Sequence, residues 1–414
     1  MTAHDNSPSA LVDAGKLPGS LLVLSNYYHP EPTGSAPPIT DLSLWLAENG
    51  LKPDVLAARP SYPKNDVYEG YENGQCDREN FAGVNVRRVW SFVAKSRGVV
   101  GRLLSETSFA LAALNARERR YLGVICVCPS IFVVAVAPYF VQRGGRVVAI
   151  VHDIQSGLAA NLKFGIGSLL TGVLRALEAW SLNRCDGLIA LSPAMADELR
   201  GLGVKVPISV IPPQVNVREI RPTPLPGADR ALAVYSGNLG RKQGLDQVLG
   251  LAAELLRRDA KIDILIRGEG SERAGLEAQA QHEGLTNVQF ADLAPRDALS
   301  EAMGAATLHL VPQTPGGANF ALPSKIFSIM ASERPYVATA SSGTPLAIVT
   351  GEAGAGICVE PNDAKAFADA VERLVSNPEM GEGFGRSGRH YVESTIDREV
   401  VCRKIVATLT AAVN

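Results

Sequence analysis

Apolar residues along this chain fall into two alternating patterns. Short, nearly continuous runs of strand length occur at 20–26, 53–58, 84–90, 123–128, 146–153, 187–192 and 208–213. Between them apolar positions recur every three or four residues, the spacing of one helix face. The alternation lapses at 214–230, which carries several prolines and little periodicity and reads as a linker. It restarts with strand patterns at 231–237, 261–268, 287–292, 306–312, 335–340 and 356–360. Helical patterns at 244–258 and 271–284 lie between them. Continuous apolar strands separated by helices predict α/β architecture with two doubly wound parallel sheets.

The expected organisation is a loose tail over 1–19, a first domain over 20–213, the linker 214–230 and a second domain over 231–394. The segment 395–414 reads as a final helix that could pack on either domain, including back on the first. One window tests this picture. Residues 122–141 contain no charge and are long enough to span a bilayer. Pro129 and Pro138 interrupt the window and another strand follows directly, so the expectation is a buried strand, a turn at Pro129-Ser130 and a buried helix to about residue 142.

Composition narrows the function. A net charge of −2 over 414 residues gives no support for nucleic acid as the main partner. The six cysteines, at 76, 126, 128, 185, 358 and 402, have no zinc-ligand spacing and fit a reducing, cytoplasmic setting. One stretch is locally basic: residues 87–120 hold eight arginines and lysines against two glutamates, interleaved with apolar residues. That suits peripheral contact with anionic lipid on the cytoplasmic face, and equally a solvated helix face.

Open doubly wound sheets bind ligands beyond the carboxyl ends of their strands. Five such places carry candidate chemistry. After the strand at 231–237, Gly237, Asn238, Arg241 and Lys242 precede a helix and form an anion cradle. After 261–268, Gly268, Glu269 and Gly270 would let a planar ring or ribose approach the backbone, before a helix capped by Ser271. Ser324 and Lys325 open a helix, where a cation is disfavoured by the dipole unless it faces an anion. In the first domain, the loop after the first strand holds Gly34 and Ser35, which could meet an acceptor or a phosphate oxygen. His152 and Asp153 end a strand and could orient each other, touch a sugar or move a proton. The plainer alternatives are ordinary βα turns for the stretches at Gly237 and Gly268, an exposed lysine at Lys325, a connecting loop at Gly34-Ser35 and a hydrogen-bonded structural pair for His152 and Asp153. No D-x-D and no G-x-x-x-x-G-K-[ST] occurs, so neither a carboxylate-held metal nor a P-loop is supported.

The stretches LSNYYHPEPTGSAPPITDLSLWLAENG, YSGNLGRKQGLDQVL, IRGEGSERAGLE and LPSKIFSIMA, in that order, resemble the GT-B glycosyltransferases of family 4. The similarity covers about 20–410. It is nearest to bacterial exopolysaccharide and O-antigen enzymes of the colanic acid fucosyltransferase and N-acetylfucosaminyltransferase type. The resemblance implies two Rossmann-like domains facing a central cleft. A UDP- or GDP-linked sugar would sit in the second domain and a polyprenyl-diphosphate-linked saccharide in the first. It implies hexose transfer with retention and no metal or other cofactor. By position, Lys242 would hold the diphosphate and Gly268-Glu269-Gly270 would frame base and ribose. His152 would lie near the donor sugar. Asn238 stands where many members have arginine, so Arg241 would supply that charge. Phe320 and Ser328 stand where many have two glutamates, which leaves Ser324, Lys325, Ser328 and the backbone of 316–322 to hold the sugar. Two other readings remain: a non-catalytic scaffold subunit of this fold, and a nucleotide-sugar 2-epimerase.

Overall fold

The computed structural model describes residues 20–32, 35–62, 65–94, 99–128, 130–154, 168–215, 217, 219–225, 229–240, 243–295, 298–314 and 322–411. The expectations for 1–19, Pro129, Gly34, Arg241, Lys242 and Phe320 fall outside these residues. The described residues divide into two compact units, one within 1–214 together with 401–414, the other Val215–Val400.

In the first unit the elements run β1 (Leu21–Ser25), α1 (Ala36–Glu48), β2 (Asp54–Ala58), β3 (Arg78–Phe81), β4 (Val84–Val89), α2 (Val99–Asn115), β5 (Tyr121–Cys128) and α3 (Ile131–Val136). A 3-10 turn (Ala137–Phe140) leads into β6 (Val141–Val151), followed by α4 (Ser168–Leu182), β7 (Gly187–Ala190), α5 (Pro193–Gly201) and β8 (Ile208–Val210). The sheet order is β3-β4-β2-β1-β5-β6-β7-β8, and its pairings are parallel except β3 with β4. Order reverses between β1 and β5, which makes that edge the switch point. Every residue of β1 is buried, as a strand covered on both faces requires.

The uncharged window is thus a strand, a short helix and a 3-10 turn, and the helix ends at Val136 rather than near residue 142. Pro138 lacks the N–H that a further α turn would use. No helix among the described residues is long and apolar enough to cross a membrane.

The second unit contains β9 (Ala231–Ser236), α6 (Asp246–Arg257), β10 (Ile262–Arg267), α7 (Arg273–His282), β11 (Val288–Ala291), α8 (Leu299–Gly304), β12 (Leu308–Pro312) and α9 (Lys325–Ala331). Then come β13 (Tyr336–Thr339), α10 (Pro345–Ala353), β14 (Gly356–Val359), α11 (Ala364–Val375) and α12 (Pro378–Thr395). The order β11-β10-β9-β12-β13-β14 is all parallel and has its switch point between β9 and β12. Ile220, Thr223 and Pro224 of the proline-bearing run are held to this unit. Buried Arg334 donates to the carbonyls of Thr223 and Pro224, and Arg389 to that of Ile220. The last helix, α13 (Arg398–Ala411), belongs from Val401 onward to the first unit. Its Thr408 hydroxyl bonds that of Ser209, and Leu409 packs at Gly123.

Candidate active site

In the second unit the turns after β9 and β10 are laced together by backbone hydrogen bonds. Gly237 N–H donates to the Arg267 carbonyl (2.9 Å), Leu239 N–H to Glu269 (2.8 Å) and Glu272 N–H to Leu239 (3.0 Å). Leu239 is wholly buried and anchors the crossing. The glycines of the second turn exist for this contact. A Cβ at Gly268 would lie 1.8 Å from the Gly237 carbonyl oxygen, and one at Gly270 would lie 2.3 Å from that of Leu239. The space a base or ribose was expected to use at these two Cα atoms is filled by the neighbouring turn.

Glu269 is exposed and pairs with Arg273 (2.6 Å), which also meets Asp292 and Glu277. Ser271 does not cap α7. The N-cap is Glu272, and the Ser271 hydroxyl turns to the Glu272 carboxylate. Asn238 is exposed, with its carbonyl accepting the Tyr235 hydroxyl (2.7 Å).

Across the switch point stands Lys325, the first residue of α9. Its Nζ lies 3.7 Å from the centre of the Tyr235 ring. The same Nζ would be 3.1 Å from a Cβ at Gly237. It is buried and makes no hydrogen bond among the described residues. Desolvation pushes its pKa down to about 7. The Tyr235 phenol is pushed up by the same burial and supplies no negative charge. Ser324 is exposed at the N-cap without a capping bond, and Ser328 is half-buried. Sequence reasoning overlooked Gln247. This buried side chain donates to the Gly244 and Gln313 carbonyls and accepts from Asn362 N–H, joining the ends of three strands. Its signal was a polar residue on the apolar face of an otherwise regular helix.

In the first unit His152 and Asp153 do share the end of β6, but no hydrogen bond joins their side chains. Asp153 accepts from the N–H of Ile154 (2.9 Å). Its carboxyl is raised by burial and drawn back down by Arg102. The His152 ring faces a cavity of about 30 Å³ whose walls include Ile39, Leu42, Gln214 and Val401. Its Nε2 is buried without a hydrogen-bond partner among the described residues, and desolvation takes its pKa to about 4.

Ser35 is buried at the start of α1. The loop before it is shaped by a residue the sequence did not announce. Buried Glu31 accepts N–H bonds from Tyr28 (3.1 Å), Ser61 and Tyr62 (2.9 Å each). Arg88 is also buried; it pairs with Glu79 and donates to the His29 carbonyl. Among the described residues of the basic stretch, Arg88 is therefore removed from the surface. Arg87 and Arg88 lie in β4, where Arg87 pairs with Glu118, and Arg102 meets Glu106 within α2.

Residues 33–214 match the family described as a glycosyl transferase 4-like domain, and residues 216–391 match glycosyl transferases group 1. The Escherichia coli (strain K12) protein WcaI, whose name assigns it to colanic acid biosynthesis as a glycosyl transferase, is 30% identical over 93% of this chain and 98% of its own. The chain belongs to the GT-B glycosyltransferases. Among solved structures, sucrose-phosphate synthase from Thermosynechococcus elongatus has a TM-score of 0.69 at 19% identity, covering 93% of this chain and 97% of the other. Anabaena HepE in complex with UDP has a TM-score of 0.68 at 14% identity, covering 95% and 100%. At these identities the likeness establishes the GT-B fold. In that fold the interlocked 237–240 and 268–272 turns lie at the carboxyl edge of the second sheet, where ligands of doubly wound sheets bind.

Proposed function

We propose that this GT-B glycosyltransferase moves a deoxy- or amino-deoxyhexose from a UDP- or GDP-linked donor to a polyprenyl-diphosphate-linked saccharide, in exopolysaccharide, capsule or O-antigen synthesis. One observation carries the donor assignment: a buried lysine amine with no hydrogen-bond partner among the described residues lies against the glycine turn at the sheet's switch point. A cation kept there at a desolvation cost makes chemical sense as the receptor of an anion. The UDP held by HepE and the naming of WcaI support the donor class and the polysaccharide setting.

In this reading Lys325, Lys242 and Arg241 receive the diphosphate, with Asn238 and the Gly237 turn beside it. Preorganised charges of this kind are each worth on the order of 3 kcal/mol of barrier. They take the place of a metal, in keeping with a sequence that lacks D-x-D. The C1–O bond to the leaving phosphate breaks while the acceptor oxygen bonds C1 from the same face, giving retention. The acceptor proton passes to the leaving phosphate oxygen. Asp153 and the Glu31-shaped loop around Ser35 position the acceptor, and neutral His152 is a hydrogen-bonding group rather than an acid. A lipid-linked acceptor places the reaction on the cytoplasmic face of a membrane.

The test is incubation with a panel of nucleotide sugars and a polyprenyl-diphosphate saccharide, read by mass spectrometry. Transfer that disappears in Lys242→Ala is expected. The substitution of both family glutamates, by Phe320 and Ser328, favours the scaffold alternative. Donor binding without transfer, or no binding, would establish that alternative and overturn this reading.

A further inference from the structure

Gln247 is the second residue of α6, and it is buried together with Val248, Leu249, Leu251, Ala252 and Leu255 of the same helix. A carboxamide in such company is tolerated only when its polar atoms are bonded. Here they are. Nε2 donates to the Gln313 carbonyl (2.9 Å) and the Gly244 carbonyl (3.3 Å), and Oε1 accepts from Asn362 N–H (2.9 Å). These partners follow β12, β9 and β14 in turn. Gln313 N–H is itself held by the carbonyl and the hydroxyl of Thr339, the last residue of β13 (3.2 Å each). One side chain thus ties the carboxyl ends of β9, β12, β13 and β14, which are consecutive in the sheet, and it crosses the switch point between β9 and β12.

The backbones meet closely at this staple. A Cβ at Gly244 would lie 2.5 Å from Gln247 Nε2 and 3.1 Å from both the Gln313 carbonyl carbon and the Thr314 nitrogen. Gly244 also has a φ of +66°, so the position suits glycine on both counts. The two arms joined here carry the proposed anion receptors. Gly244 closes the stretch that begins at Gly237 and includes Arg241 and Lys242, and Gln313 opens the stretch that ends at Lys325. A diphosphate that touches both arms binds best when their separation is fixed beforehand, because a spread of distances adds to the entropy lost on binding. A carboxamide fixes that separation without charge. A carboxylate in its place would repel the ligand, and an apolar side chain would leave the Gln313 carbonyl and the Asn362 N–H without these bonds.

We infer that Gln247 is a positioning residue for the donor: it sets the spacing between the Gly237–Gly244 stretch and the stretch leading to Lys325, so that both meet one diphosphate. This role rests on the donor reading given under the proposed function.

The test is calorimetric titration of the full chain, wild type and Gln247→Met, with UDP, GDP and the matching monophosphates. Methionine keeps the length and adds no charge, but makes none of the three bonds. The ratio of diphosphate to monophosphate affinity should fall about tenfold in the variant. A glutamine that served stability alone would lower Tm and leave that ratio unchanged, which overturns the proposal. In a Lys325→Met background the effect of Gln247→Met on diphosphate affinity should shrink to less than about threefold, because the arm it aligns has lost its charge. Full additivity of the two substitutions also overturns it. Should Gln247→Met fail to fold, hydrogen exchange in the wild-type protein decides. The Asn362 N–H should exchange several-fold more slowly once a nucleoside diphosphate is bound, and no change overturns the proposal. Failure of both diphosphates to bind the wild-type protein would reject the donor reading and this role together. Wild-type binding with an unchanged ratio in the variant would reject this role alone.

Discussion

The Lys325 amine rests 3.7 Å from the centre of the Tyr235 ring, across the switch point of the second sheet and beneath the Gly237 turn. A cation–π contact offsets part of the burial cost, yet the pKa still falls from 10.5 to about 7. Between those values the unfolded chain holds a proton that the folded chain has released. Stability from this group therefore rises with pH across that window and is lowest below it. Lys325→Met should raise Tm by roughly 2–4 °C at pH 6, and the gain should vanish near pH 10. Thermal unfolding at both pH values measures this.

The same substitution should weaken nucleoside diphosphate binding by about 10–100-fold, the cost of losing a charged hydrogen bond. At pH 8 the wild-type protein should take up a proton on binding, so that the calorimetric enthalpy changes with the buffer's heat of ionisation. In Lys325→Met that dependence should be absent.

Gly268→Ala would push a methyl group into the Gly237 carbonyl, and no side-chain rotation relieves a backbone collision. We expect a loss of about 3 kcal/mol or more in unfolding free energy, with donor binding lost as the two turns separate. Gly275→Ala, in the same unit, meets nothing within 4 Å and should be as stable as wild type or slightly more so. Urea unfolding of the two variants gives the contrast.

For His152, the ring stays neutral down to about pH 4. Its folded pKa lies below the free value of 6.5, so the stability it removes is largest below pH 4 and is recovered as pH rises to 6.5. His152→Phe should flatten the stability profile over this interval. In NMR the wild-type ring proton should not titrate above pH 5. A catalytic pH profile with an ascending limb near 6.5 must then come from another group.

Glu31→Gln keeps the shape but replaces one acceptor oxygen with a donor, leaving one or two of three backbone N–H groups unmatched. A cost of about 1–3 kcal/mol is expected. Hydrogen exchange at Ser61 and Tyr62 should speed up relative to the β1 amides.

Most strands of both sheets were legible because buried parallel strands are written as unbroken apolar runs. β3 was not: its sequence is Arg-Glu-Asn-Phe, an exposed edge strand whose only signal is the Ala82-Gly83 turn with positive φ at both residues. At the site, the glycine turns and Lys325 were visible as sequence features, but the purpose of Gly268 and Gly270 was not. That depends on a neighbouring turn about thirty residues away. Glu31, Gln247 and the inward face of His152 were hidden for a related reason. Each is defined by tertiary partners, and a single polar letter in a loop or helix does not name them. In the basic run at 87–120, linear charge counting could not see that Arg88 is buried against Glu79, a partner outside the run.

The return of α13 gives the first unit an unusual covalent plan: its chain is interrupted after Gln214 and resumes at Val401. Cutting the gene at the apparent linker would therefore not isolate it. A fragment ending at 214 would leave the ground beneath Gly123 and Ser209 bare, and the excised second half would carry an orphaned apolar helix. A workable split must graft 401–414 onto the end of the first piece. For the same reason a tag fused at the C-terminus reports on the folding of the half that is synthesised first.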